Sequence, residues 1–215
     1  MAVVEETDQH STDFTKCLRY LRSHKDAILS RTSATNSAQD STHAQLDILV
    51  LGGLGGRVDQ AFSQIHSLYS CSQLSPPEAG RPEGNIYLVS EESISFVLRE
   101  GQNTILTPGG SKLGTGASKG TCNGHASNSN GARGAGCDGE GYLSENIGII
   151  PVGGLGVITT SGFEWDVRAW STKIGGQLST SNHIRENVVT VETSIPVLFT
   201  VELAQQLKLG GKGEK

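Results

Sequence analysis

Leu46-Asp-Ile-Leu-Val-Leu-Gly-Gly-Leu-Gly-Gly-Arg-Val-Asp-Gln60 is the stretch from which the fold is read. An apolar run, Ile48 to Leu51, ends in four glycines within five positions, and the polar residues Arg57, Asp59 and Gln60 then open an amphipathic pattern. This order predicts a buried strand, a tight glycine turn and a helix whose first turn carries one cation and one carboxylate. Gly53, Gly55 and Gly56 let the backbone approach a ligand closely, and the free N–H groups of a helix start favour an anion. Phosphate chemistry is the functional reading, and a plain strand-to-helix turn is the structural one. The segment is neither a Walker A loop, which needs GxxxxGK[ST], nor a clean GxGxxG fingerprint.

Outward from this turn, Val58, Ala61, Phe62, Ile65, Leu68 and Tyr69 form the apolar stripe of a helix over about residues 57–70. Upstream, Ser11-Thr-Asp13 is a good helix start, with Ser11 or Thr12 as the cap. Phe14, Cys17, Leu18 and Leu21 then predict a helix over 11–24 with one buried face, Cys17 serving as a small core residue. Residues 31–45 are polar and read as a loop, and 75–84 are a Pro/Gly-rich link. Beyond it, Ile86–Ser90, Ile94–Leu98, Asn103–Leu106, Ile147–Ile150, Gly156–Thr160, Val188–Glu192 and Val197–Val201 are short β-rich runs between turn residues. Such a series predicts an all-β sandwich or barrel. The chain therefore divides near residue 84 into an α/β part, 1–84, and a β part, 85–215. Residues 108–141 hold 11 glycines and one large aliphatic side chain, Leu113. They bury too little to offset ordering entropy and are expected to be a disordered insertion, with Lys112, Lys119, His125 and Arg133 solvated.

The 215 residues suffice for one large or two small domains. A net charge of −5 leaves no basic stripe for a nucleic-acid backbone. No apolar run approaches the roughly 20 residues that span a bilayer, and the start of the chain has no cationic n-region. A reducing, cytoplasmic setting is expected, in keeping with four cysteines (17, 71, 122 and 137) that make no CxxC pair. A zinc site at Cys122 and Cys137 with His125 is the lesser reading of that segment.

Two further clusters carry chemistry. In Thr7-Asp-Gln-His-Ser-Thr-Asp-Phe-Thr-Lys16, Asp8 and Asp13 flank a helix start, with Lys16 one turn in. Close carboxylates can hold a hard divalent cation and a lysine can meet a phosphate; plain helix capping is the alternative. In Gly176-Gln-Leu-Ser-Thr-Ser-Asn182, preceded by Ser161-Gly-Phe-Glu-Trp165, small hydrogen-bonding side chains near a tryptophan form one wall of a pocket for a flat polar heterocycle. An ordinary turn is the competing reading.

Together these segments resemble the thiamine pyrophosphokinases. The resemblance lies in Asp8-Gln-His-Ser-Thr-Asp-Phe-Thr-Lys-Cys-Leu18, Gly52–Gln60, Ser90–Ser93, Ile150–Gly153, Thr159–Trp165, Leu178–Asn182 and Val189–Glu192, in that order. It runs from about residue 7 to 204, omitting the glycine-rich insertion. It implies a Rossmann-like α/β catalytic domain followed by a β-sandwich thiamine-binding domain, in a homodimer with thiamine bound between subunits. The implied reaction moves pyrophosphate from ATP to the thiamine hydroxyl, giving thiamine diphosphate and AMP with Mg²⁺. By resemblance, Asp8 and Asp13 belong to the metal and phosphate site. Lys16, Gly53, Gly55, Gly56 and Gln60 contact the nucleotide, and Asp13, Arg57 and Asp59 act at the reacting centre. Trp165 stacks on a thiamine ring, and Ser179, Thr180, Ser181 and Asn182 form the substrate wall.

Two departures bear on activity. Relatives carry an upstream βαβ segment with a Gly-Asp-x-Asp-Ser motif, whereas Met1 lies seven residues before Asp8. Many also have an aspartate where His10 stands, and a neutral imidazole is a poor Mg²⁺ ligand beside carboxylate oxygens. On this reading the chain is truncated, strand 46–51 loses a neighbour and becomes an edge, and a weakly active or non-catalytic thiamine-binding relative is the alternative function.

Overall fold

A computed structural model of the chain describes residues 4–33, 45–73, 84–107 and 142–208. They divide into two units, Met1–Ser90 with Ser95–Val97, and Glu91–Ile94 with Leu98–Lys215. The expected insertion at 108–141, the link at 75–83 and Cys122, His125 and Cys137 lie outside the described residues.

In the first unit, Thr12 caps α1 (Asp13–Ser23): its hydroxyl accepts the Thr15 N–H at 3.2 Å. Such a cap contributes about 1 kcal/mol. Asp13 at the helix start and Arg22 in its last turn complement the dipole. Arg22 also donates to the Cys71 carbonyl at 3.0 Å. Leu18 is the buried residue of α1, while Cys17 is exposed, against the expectation of a core cysteine. One residue turns the helix by about 100°, enough to carry Cys17 off the face that Leu18 occupies. A second helix, α2 (Lys25–Ser33), extends into residues read from sequence as loop.

Next come β1 (Ile48–Leu51), α3 (Val58–Gln73) and β2 (Ile86–Val89). β1 and β2 pair in parallel, Ile48 opposite Ile86 and Leu51 opposite Val89. Parallel neighbours require a crossover, which includes α3. Among the described residues β1 is an edge strand, and it is not the buried strand expected: Leu49 and Leu51 are 61% and 79% exposed. The predicted α3 stripe is likewise buried at Leu68, with Cys71 beyond it, whereas Val58 and Phe62 are exposed. Periodicity locates an apolar face; it does not supply what covers it.

The second unit is antiparallel. One sheet has the order β4 (Gly101–Leu106), β9 (Val188–Thr193), β6 (Gly156–Ser161), β7 (Trp170–Thr172). β4 and β9 pair from Gly101↔Thr193 to Leu106↔Val188. In the other, β5 (Leu143–Ile150) lies between β10 (Val197–Leu203) and β8 (Ser179–His183). Period-two burial puts Ile158, Val189, Val191, Ile149, Phe199 and Val201 inside, almost wholly removed from solvent. Phe163 and Phe199 meet with ring centroids 6.4 Å apart. The remaining strand, β3 (Ser93–Leu98), is divided between the units, its Ser95–Val97 grouping with the first. Here Phe96 meets Tyr87 edge-on at 5.4 Å. The architecture is an α/β part followed by a β-sandwich.

Candidate active site

The glycine turn adopts the backbone its sequence calls for. Gly52, Gly53 and Gly56 have φ of +83°, +95° and +74°, a region that side chains disfavour. The Gly52 N–H donates to the Val89 carbonyl at 2.7 Å, fixing the turn to β2. At the start of α3, Arg57 grips Asp59 at two points, Nε to Oδ1 at 3.1 Å and Nη2 to Oδ2 at 2.6 Å. Both side chains are exposed. The guanidinium holds the Asp59 carboxyl below the usual carboxylate range, so Asp59 is ionised and weakly basic. Behind the turn, Gln64 Oε1 is buried without a hydrogen-bond partner among the described residues, and a Cβ on Gly53 would come within 3.2 Å of Gln64 Cγ.

Asp8 is organised before α1 begins. Its Oδ1 accepts the His10 N–H at 2.9 Å, and its Oδ2 accepts the Ser11 hydroxyl and Arg19 Nη1, the latter at 3.3 Å. The Ser11 hydroxyl, then the His10 amide and Arg19, draw its pKa down to about 2. Asp13 is fully exposed and lies 3.7 Å from Lys16 Nζ. Lys16 is largely covered and lines a cavity of about 580 Å³ with Val4, Glu6, Arg19 and Tyr20. Asp8 thus pairs with Arg19, and Asp13 with Lys16. Among the described residues no three His, Cys, Asp or Glu side chains are placed to hold one metal ion. With the Asp8 oxygens already engaged, this donor set does not by itself fit Mg²⁺.

In the second unit, Trp165 follows a turn built by Asp166. That carboxylate accepts the Thr160 hydroxyl at 3.1 Å, the Gly162 N–H at 3.1 Å and the Phe163 N–H at 3.2 Å. The turn runs beside the end of β8 through the Phe163–Ile184 bridge and the Glu164 N–H to His183 carbonyl bond at 2.8 Å. Trp165 remains 54% exposed, one side of it tilted against the His183 ring at 5.1 Å. Glu164 joins His183 Nδ1, at 2.6 Å, and Arg185, which also joins Glu145. His183, with help from Arg185, keeps the Glu164 carboxyl below its ordinary value, while Glu145 and Glu164 raise that of Arg185. Ser179 to Asn182 form strand rather than a turn: Ser179 is half-buried, Thr180 and Ser181 are exposed, and Asn182 is buried.

Residues 1–77 match the family model "Thiamin pyrophosphokinase, catalytic domain", and residues 138–198 match "Thiamin pyrophosphokinase, vitamin B1 binding domain". The chain belongs to the thiamine pyrophosphokinase family. Among curated relatives, "Thiamine pyrophosphokinase 2" of Arabidopsis thaliana is 26% identical over 203 residues, covering 94% of this chain and 56% of that protein. The Saccharomyces cerevisiae thiamine pyrophosphokinase is 25% identical over 231 residues, covering 94% and 62%. The chain thus spans less than two thirds of the length of these relatives. The fold is similar to yeast thiamin pyrophosphokinase, with TM-score 0.63, 22% identity and coverage of 96% of this chain and 63% of the other. It is also similar to the Candida albicans enzyme, with TM-score 0.60, 21% identity and coverage of 93% and 64%.

Within this thiamine pyrophosphokinase family chain, both the glycine turn and Asp8 fall in the catalytic match, and Trp165 falls in the vitamin B1 binding match. Reading along the sequence missed Asp166, His183, Glu164, Arg185 and Gln64. Asp166 had a local signal, a carboxylate four residues after Gly162. The His183–Glu164 contact had none, because the strand pairing that creates it joins residues 19 apart.

Proposed function

We propose that the chain performs thiamine diphosphokinase chemistry, transferring pyrophosphate from ATP to the thiamine hydroxyl. The observation that carries the reading is an exposed indole, Trp165, in the vitamin B1 binding match, on the same chain as a glycine turn in the catalytic match. The hydroxyl oxygen attacks the β-phosphorus, the bond from that phosphorus to the oxygen bridging to the α-phosphate breaks, and AMP leaves as the hydroxyl proton is lost. Such transfers ask the protein chiefly to position reactants and offset charge on phosphate oxygens. Lys16, Arg57, Gln60 and the amides of Gly53, Gly55 and Gly56 are assigned to the phosphates. Asp59, gripped at two points by Arg57 and held below the ordinary carboxylate range, is better suited to orienting the hydroxyl as an acceptor than to removing its proton beforehand. Trp165 receives the flat ring, with Ser179, Thr180 and Ser181 along the wall.

Asp8, engaged by the His10 amide, the Ser11 hydroxyl and Arg19, and Asp13, which faces Lys16, do not by themselves make the Mg²⁺ site that the reading calls for, and no step above runs through the metal. A two-domain organisation, 1–84 and 85–215, and a cytoplasmic homodimer complete the reading; among the described residues no helix is long and apolar enough to cross a membrane. The family matches do not point specifically to a non-catalytic relative. The test is AMP release by this chain with ATP, Mg²⁺ and thiamine. Thiamine-dependent AMP is expected, and no AMP at saturating thiamine would refute the proposal.

A further inference from the structure

The side chain of Asn182 is spent inside the protein. Only 4% exposed, it sits on β8 with its amide plane against the backbone of Trp165. Its Oδ1 accepts the Trp165 N–H at 3.0 Å and the His183 N–H at 2.8 Å, and its Nδ2 donates to the Trp165 carbonyl at 2.9 Å. The two bonds to Trp165 close a ring around that residue, so both the entry and the exit of the peptide at Trp165 are fixed, and the third ties the amide to its own strand. Buried amide groups are costly to leave unpaired, which makes the arrangement all-or-none. The indole itself meets the ring of His183, whose Nδ1 is held in turn by Glu164. An exposed tryptophan on a turn would otherwise sample several rotamers, and ordering a side chain on binding weakens the complex.

We infer that Asn182 is a positioning residue that presents Trp165 to the flat ring of the substrate, with His183 as the support behind the indole, and that Asn182 does not itself touch the substrate. The inference rests on Trp165 being the thiamine surface, as proposed above. It gives the last residue of the Ser179–Asn182 run a role different from its neighbours, whose side chains are more exposed. It also explains why an asparagine is suited there: serine lacks the reach, and a short amide offers an acceptor and a donor side by side in one plane.

The test uses the full chain with Trp170→Phe, which leaves Trp165 as the only indole. Without ligand, Asn182→Ala should red-shift Trp165 emission and lower its fluorescence anisotropy, whereas Asn182→Asp, which keeps the acceptor, should fall between. Unchanged spectra and anisotropy in a folded Asn182→Ala protein would overturn the inference; should Asn182→Ala not fold, an unchanged Asn182→Asp would do so. Calorimetric thiamine titrations then complete a double-mutant cycle. Asn182→Ala is expected to weaken thiamine binding by about tenfold with Trp165 present and to have no further effect in Trp165→Ala. Losses that simply multiply would show a direct contact and overturn it. If Trp165→Ala leaves thiamine affinity unchanged, the functional reading of Trp165 fails, while the ligand-free fluorescence still decides the role of Asn182 in holding it.

Discussion

Gly162 stands at the turn that delivers Trp165, and its replacement by alanine separates two causes of glycine preference. Its φ is +94°, and a Cβ there would lie 3.0 Å from Val189 Cγ1 and 3.2 Å from the Val188 carbonyl oxygen. Val189 is fully buried in β9 and has no room to withdraw. Backbone strain from a side chain in the left-handed region costs about 1–2 kcal/mol, and overpacking a filled core adds about 1–3 kcal/mol. The sum, roughly 2–5 kcal/mol, corresponds to a fall in Tm of roughly 5–15 °C for a protein of this size. Gly101 is the matched control. Its φ is +99° and a Cβ there meets nothing within 4 Å, so Gly101→Ala retains only the strain. Scanning calorimetry of the two variants and the parent is the assay. The steric argument is refuted if the two variants lose the same Tm, or if Gly162→Ala melts within about a degree of the parent.

Other outcomes follow from the same geometry. Thr12→Ala removes the cap of α1 and should destabilise the helix signal by about 1 kcal/mol in urea, with Thr12→Ser restoring it. Asp59→Asn should lower kcat by on the order of 10²-fold while thiamine affinity changes little, if Asp59 meets the reacting hydroxyl as proposed; an equal loss in affinity and none in kcat would contradict that assignment. The carboxyls of Asp8, Asp59, Glu164 and Glu202 are all held below their ordinary values, Glu202 chiefly by Lys208. The unfolded chain therefore binds more protons than the folded one in acid. Their stabilisation is complete above the unfolded pKa values, near pH 4, and is lost as pH falls through the lower folded ones. Tm should hold down to about pH 5 and decline below it; a Tm that rises between those conditions and pH 3 would reverse the sign.

Much of this molecule is legible along the chain. The run from Ile48 into Gly52 predicts the strand, turn and helix that form, since the backbone demands of a tight turn are local. The seven β-rich runs all become strands, because alternation and β-branching act over a few residues. Leu49, Leu51, Val58 and Phe62 fail as core residues for the opposite reason: an apolar face is a local property and its cover is not. Cys17 shows the same limit at the scale of one residue. Trp165 stands out along the chain beside small polar residues, whereas the bonds from Asn182 to its backbone do not, and the sequence groups Asn182 with the substrate wall. Only the pairing of β8 with β5 and the approach of the 162–165 turn disclose what Asn182 holds, and those contacts are long-range. Asp59 lies between these cases: proximity to Arg57 is visible in sequence, whereas the two-point grip that lowers its basicity is a matter of rotamers.

The claim at the centre of this account is transfer of pyrophosphate as one group to thiamine. ATP labelled at the β-phosphorus, incubated with this chain, Mg²⁺ and thiamine, tests it most directly. The account predicts label in thiamine diphosphate with AMP formed in equal amount. Label recovered in ADP, with none in thiamine diphosphate, would contradict it.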